Sequence, residues 1–208
     1  MSLARGLADG LAKLNITLPE SAQLSLIKYL GLIEKWNKVH NLTAIREPEQ
    51  MLAHHLLDSL AVLSHFGAAK SLVDVGSGAG LPGIPLAIAR PELAVTLVDS
   101  SHNRQAFQQQ CKAELSLTNV TAIHSRVEDY KSGAGFDIVI SRAFSDLSEF
   151  ISVARHLCAP GGRLLAMKGL HPYAELEKLP DGARVVHVTP LTVPNLDATR
   201  HLLEIEVN

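Results

Sequence analysis

One stretch limits what this chain can become more than any other: VDVGSGAGLPGIP, residues 73–85, sets Gly76, Gly78 and Gly80 between an apolar run and a helical pattern. Glycine enters positive φ without steric cost, and its missing Cβ lets the main chain lie flat against a ligand. A strand that runs through such a turn into a helix is the opening unit of a doubly wound α/β sheet, in which ligands lie beyond the carboxyl ends of the strands. Pro82 suits the first turn of a helix, and that helix start is expected to hold out bare N–H donors to an anion. A merely tight strand-to-helix turn is the plain alternative, and three alternating glycines speak against it.

The chain beyond the loop keeps the same grammar. Short apolar runs at 71–75, 94–98, 120–124, 136–140, 163–167, 184–188 and 201–207 read as strands. Helical patterns fill 82–90, 102–116, 147–157 and a short piece near 172–178. This alternation predicts an α/β fold with a mostly parallel seven-stranded sheet. The last two strands are joined by a Pro-containing link over 189–196 without helical periodicity, so they are expected to form an antiparallel edge. Residues 1–66 read as helices before and after the polar turn HNLTAIRE. They are taken as an N-terminal helical extension to a core over 67–208, the two forming one structural unit.

The chain has 208 residues, enough for one sizeable core, and no apolar run approaches the roughly 20 residues of a membrane-spanning helix. The N-terminus does not read as a secretory signal, and the two cysteines, Cys111 and Cys158, make neither a metal-ligand spacing nor a disulfide framework. A cytoplasmic protein is expected, with no membrane partner and no metal. His54 and His55 are adjacent and point different ways on a helix, which argues against a metal pair. The net charge of −2 makes this no general polyanion binder, so contact with nucleic acid would need a local basic patch.

Two ligands fit the loop. GAGLPG matches the dinucleotide fingerprint, whereas from Asp74 onward the stretch reads D-x-G-x-G-x-G, the pattern of S-adenosylmethionine sites. Charge separates them: a carboxylate at Asp74 repels a pyrophosphate and attracts an ammonium and a sulfonium. S-adenosylmethionine is therefore favoured. Asp99, roughly 20 residues beyond the first glycine, stands where an acid accepts the ribose hydroxyls of either ligand, or else caps the next helix. In the turn after the third strand, SRVEDY, Val127 is placed to pack on adenine and Glu128 to meet its edge; an exposed polar turn is the rival reading.

The fourth strand ends in SRAF, on the side where a methyl acceptor belongs. No D/N-P-P-Y/F turn for an exocyclic amine is present there, and neither cysteine sits at a strand end where it could attack a pyrimidine carbon. What remains is an acceptor already nucleophilic, such as an aromatic ring nitrogen, for which positioning and desolvation suffice without a general base. Arg142 suits a guanine O6 or a phosphate, Phe144 suits stacking on a base, and Lys168, on the same rim, suits an RNA backbone. An Arg paired with an acid and a core Phe are equally open. Arg200 and His201 read as surface residues, and Trp36 as a core residue of the N-terminal helices. The near-neutral charge also leaves open a small-molecule or protein acceptor, or a non-catalytic cofactor-sensing module.

WNKVHNLTAI, HHLLDSL, VDVGSGAGLPGIP, LVDS, SRVED, ISRAF, MKG and RHLL occur in this order, and together they resemble the bacterial small-subunit ribosomal RNA guanine-N7 methyltransferases, the glucose-inhibited division protein B family. The similarity runs from about residue 20 to the C-terminus. It implies a Rossmann-like class I methyltransferase that moves a methyl group from S-adenosylmethionine to N7 of one guanine in the 530 loop of 16S rRNA. The partner is then 16S rRNA or the 30S subunit, and the protein is expected to be a monomer. Carried over by position, Gly76, Leu81, Val127, Glu128 and Arg142 become cofactor contacts and Asp99 the ribose acid, so Arg142 serves the cofactor as well as the acceptor. Asn103 and Thr199 depart from the family's usual basic and acidic residues, which leaves open a cationic contact at the RNA rim and a local ion pair with Arg200.

Overall fold

The computed structural model describes residues 2–208. Its centre is a seven-stranded sheet of β1 (Ser71–Val75), β2 (Ala94–Asp99), β3 (Val120–His124), β4 (Phe136–Ser141), β5 (Cys158–Lys168), β6 (Ala183–Leu191) and β7 (Arg200–Val207), in the order β3-β2-β1-β4-β5-β7-β6. The first five strands are parallel, and β7 runs antiparallel to both β5 and β6. The expected antiparallel edge is present, but β7 inserts between β5 and β6 instead of extending the sheet outward. Strand order reverses at β1 and β4, so the crevice for a ligand opens above the end of β1, where the glycines sit.

The central strands are apolar on both sides because both faces are covered. One face carries α5 (Gly83–Ala89) and α6 (His102–Glu114), and with them the N-terminal helices α1 (Leu3–Lys13) and α2 (Glu20–His40). A continuous helical rod follows them, made of α3 (Pro48–Met51), a π-helical turn over Leu52–Leu57 and α4 (Asp58–Leu60). Leu7, Leu26, Ile33, Leu56, Ile84 and Ile138 belong to one buried cluster on this side, so the extension shares its core with the sheet. The other face is covered by α7 (Leu147–Ala154) and, at its margin, the short α8 (Tyr173–Leu176).

β5 and β6 are longer than their apolar runs. β5 begins at Cys158 and takes in Pro160, Gly161 and Gly162, ahead of the expected strand, with an irregularity in its pairing to β4 between Phe136 and Ile138. β6 takes in Pro190, which the sheet tolerates because β6 is an edge strand and needs no N–H there. The WNKVHNLTAI segment is a built turn. The Asn37 amide donates to the carbonyls of Thr43 and Ile45 and its oxygen accepts from Thr43 N, while Arg46 reaches Asn37 O and Asn41 Oδ1.

Candidate active site

Gly76, Gly78 and Gly80 all have positive φ, at 68°, 57° and 87°. Their surroundings differ in a way that assigns them separate tasks. A Cβ on Gly76 would lie 2.8 Å from Ala143 Cβ, and one on Gly80 2.4 Å from Ile84, so both glycines permit close packing inside the protein. A Cβ on Gly78 would meet only Gly76 O, at 4.0 Å, and otherwise point into open space. Gly78 is thus the bare floor of a cradle. The same Ala143 contact sets the SRAF turn directly against the loop, and Ser141 Oγ fastens the two by donating to Val75 O at 2.8 Å.

The loop is held from below by four side chains. Asp74 is fully buried and its Oδ2 accepts from Gly83 N at 2.8 Å. Asp99 Oδ2 accepts from Gly78 N at 2.8 Å and its Oδ1 from Ser101 N at 2.8 Å, so it ties β2 to both the loop and the start of α6. Gln108 donates to Ser77 Oγ and to Gly78 O. From α2, Tyr29 donates to Ala79 O at 2.6 Å. Spacing along the sequence pointed to the two acids. It did not point to Tyr29 or Gln108, which lie 50 and 30 residues from their partners and read only as members of helices.

The start of α5 corrects one expectation. Its N–H groups are not bare: Gly83 N donates to Asp74, Ile84 N to Gly80 O and Leu86 N to Pro82 O, and the prolines at 82 and 85 have none to give. A pyrophosphate finds no free donor at this helix start, which weighs against a dinucleotide site. A cation is better served. Asp74 Oδ1 has no partner among the described residues. Burial pushes this carboxyl up to about 7 against the lowering pull of the Gly83 N–H and Arg142. A buried carboxylate with a free lone pair gains when a positive charge arrives.

Val127 is buried with Val75 and Val98 in one apolar cluster beside the cradle, and Glu128 stands exposed on the turn next to it. Leu81 is buried under the loop. The acceptor side holds Arg142, Phe144 and Lys168 on one open cleft of about 630 Å³ at the ends of β4 and β5. Arg142 is tied down: it donates to His54 O at 3.0 Å and pairs with Asp58 Oδ2 at 3.1 Å. Asp58 also pairs with Arg200 at 3.0 Å through Oδ1. Arg200 is therefore no loose surface residue, and the ion pair in doubt at Thr199 is made across the fold with Asp58. Lys168, expected to meet an RNA backbone, is engaged within the protein, its Nζ 2.8 Å from Glu175 and 2.6 Å from Ser145 O. Phe144 packs on Phe150 at 5.5 Å while still lining the cleft. His55 beneath Arg142 is buried and pushed down to about 4 by burial and by that guanidinium. Trp36 packs on Phe107 at 5.4 Å but is only half-buried, so it lies at the edge of the core and not within it. No cluster of three or more metal-binding side chains occurs among the described residues, and no helix among them is long and apolar enough to cross a membrane.

Comparison with known proteins meets this geometry. The model of the family described as GidB, rRNA small subunit methyltransferase G, matches residues 22–203. The chain belongs to that family. A Nitrosospira multiformis protein named ribosomal RNA small subunit methyltransferase G is 56% identical over 98% of this chain and 97% of its own length. One of the same name from Burkholderia pseudomallei is 51% identical over 97% and 90%. Among solved structures, TrmN from Thermus thermophilus aligns with a TM-score of 0.59 at 17% identity, covering 76% of this chain and 53% of its own. The glycopeptide N-methyltransferase MtfA aligns at 0.59 and 16%, covering 78% and 100%. Those two likenesses concern the fold, which is that of class I methyltransferases. Within the family, the order of the matched motifs acquires a spatial reason: the glycine loop, the β2 acid, the β3 turn and the β4 exit all stand at one end of the sheet.

Proposed function

We propose that this chain transfers a methyl group from S-adenosylmethionine to N7 of one guanine in the 530 loop of 16S rRNA. The observation that carries the cofactor half is the pairing of an open floor at Gly78 with the unpartnered Oδ1 of buried Asp74, under a helix start whose N–H groups are all used. When bound, S-adenosylmethionine supplies a methyl group on a sulfonium. The chain's own residues do the rest. Asp99, already fixed to Gly78 N, has lone pairs left for ribose hydroxyls; Val127 offers an apolar surface to adenine and Glu128 a polar edge. Leu81 and the glycines at 76 and 80 keep the cradle closed from beneath.

On the acceptor side, guanine N7 has a free lone pair and no proton, so the chain has no proton to remove. Its task is to hold the base in line and keep water out. Arg142, locked on Asp58 and His54 O beside the loop, presents a planar fork suited to guanine O6. Phe144 gives a ring beside it, and Lys168 braces the cleft wall through Glu175. This reading puts the protein in the cytoplasm with its substrate, as a monomer that needs no metal. Incubation of 30S subunits lacking the modification with methyl-labelled S-adenosylmethionine tests it. Label in 16S rRNA is expected; label in small metabolites or protein with none in rRNA would favour a different acceptor class.

A further inference from the structure

Of the large apolar side chains that stand exposed among the described residues, two, Leu170 at 80% and Tyr173 at 74%, fall within four residues of each other. Both line the cleft that contains Arg142 and Phe144. Tyr173 is not splayed at random. Its ring stacks on His171, with centroids 3.8 Å apart and planes 26° from parallel, and His201 abuts His171 edge-on at 5.3 Å. A ring covered on one face and still three-quarters exposed holds its other face to solvent.

We infer that Tyr173, backed by His171, is a stacking platform for an unpaired base of the RNA that flanks the methylated guanine. This rests on the RNA reading above. The platform is built on a frame that cannot swing freely. Lys168, at the end of β5, bonds both Ser145 O and Glu175, and Glu175 Oε2 also accepts from Leu147 N at 2.6 Å, so the segment after β5 is tied to the segment after β4. His201 Nδ1 lies 3.2 Å from Gly169 O and joins β7 to the same segment. Charge favours nucleic acid over a protein partner. Of the side chains that line the cleft, Arg142 and Lys168 are cationic and Glu175 alone is acidic, so the lining carries an excess of positive charge suited to a phosphate backbone. An aromatic face takes any base because every base has a π-face. The sequence-read stacking residue, Phe144, is half-buried against Phe150 and already has one ring partner; Tyr173 is the ring the cleft leaves most open.

The test is steady-state methyl transfer to unmethylated 30S subunits by the full chain and by Tyr173→Ala, Tyr173→Leu and Tyr173→Phe. The alanine and leucine variants should raise KM for the subunit about ten-fold, from the loss of one base–aromatic stack, with affinity for S-adenosylmethionine unchanged by calorimetry. Tyr173→Phe should restore the wild-type KM. An unchanged KM in Tyr173→Ala, or restoration by leucine as complete as by phenylalanine, overturns the platform while leaving the methyltransferase reading in place. A wild-type chain that labels no rRNA overturns that reading and the platform with it. A photoreactive benzoylphenylalanine in place of Tyr173 should crosslink to 16S rRNA; crosslinking to a ribosomal protein instead overturns the assignment of RNA as the occupant.

Discussion

Asp74 is sealed beneath the loop with one oxygen in use and one idle, and this makes its charge conditional. Its folded value near 7 lies above the ordinary carboxyl value of about 3.9. A raised acid contributes stability that is full below about pH 4 and is lost as pH climbs through about 7. Asp74→Asn keeps an oxygen for Gly83 N and has no charge to bury. Denaturant unfolding should therefore find the wild type losing stability relative to the asparagine variant between pH 4 and 7. A bound sulfonium favours the ionised carboxylate, so wild-type affinity for S-adenosylmethionine should rise through pH 7 in calorimetry, and the variant's should stay flat and lower. Arg142 offers a second test. Arg142→Ala should reduce kcat for rRNA methylation by at least ten-fold while changing RNA affinity less, because Arg200 still neutralises Asp58. Filter binding run beside turnover separates the two. Asp74, Asp99 and Arg142 were legible in the sequence because each stands at a fixed distance from a strand end. Asp58 was not: it sits inside HHLLDSL, where helical periodicity reports only an apolar face, and its two arginines come from strand ends far along the chain.

The strand-loop-helix unit from β1 to α5 can be dissected by its glycines. Gly78→Ala and Gly76→Ala both place a Cβ at positive φ, which costs roughly 1–2 kcal/mol. Only the second also drives into Ala143. Thermal unfolding should then show the Gly76 variant as the less stable of the two, and calorimetry should show that the Gly78 variant, though better folded, has lost most of its affinity for S-adenosylmethionine. Equal stabilities would remove the distinction between packing glycine and cradle glycine. The strands themselves were readable because buried parallel strands are short apolar runs with glycine or polar residues between them. The insertion of β7 was not readable, since two antiparallel partners and one leave the same alternation in the chain. The length of β5 was hidden by Pro160 and its glycines, which mark turns more often than irregular strand.

The N-terminal helices give the molecule more than bulk. α2 sends Tyr29 through the shared core to Ala79 O, so the N-terminal layer holds the backbone of the glycine loop. Tyr29→Phe would leave that buried carbonyl without its partner, a loss of about 1–3 kcal/mol in urea unfolding, with a weaker cradle for the cofactor as its second effect. A stability change under about 0.3 kcal/mol would mean that the extension packs beside the loop without bracing it. An N-terminal helical layer was plain in the sequence, but its grip on the loop was not, because no periodicity encodes which carbonyl a buried hydroxyl meets. On the reading proposed above, these contacts serve a single chemical outcome, a methyl group placed on a ring nitrogen of one purine. Mapping of methylated nucleotides in 16S rRNA from cells with and without this protein tests that outcome most directly. The expected result is one 7-methylguanosine in the 530 loop that vanishes with the protein; an unchanged map, or the loss of a methyl group at another atom or another nucleotide, would contradict it.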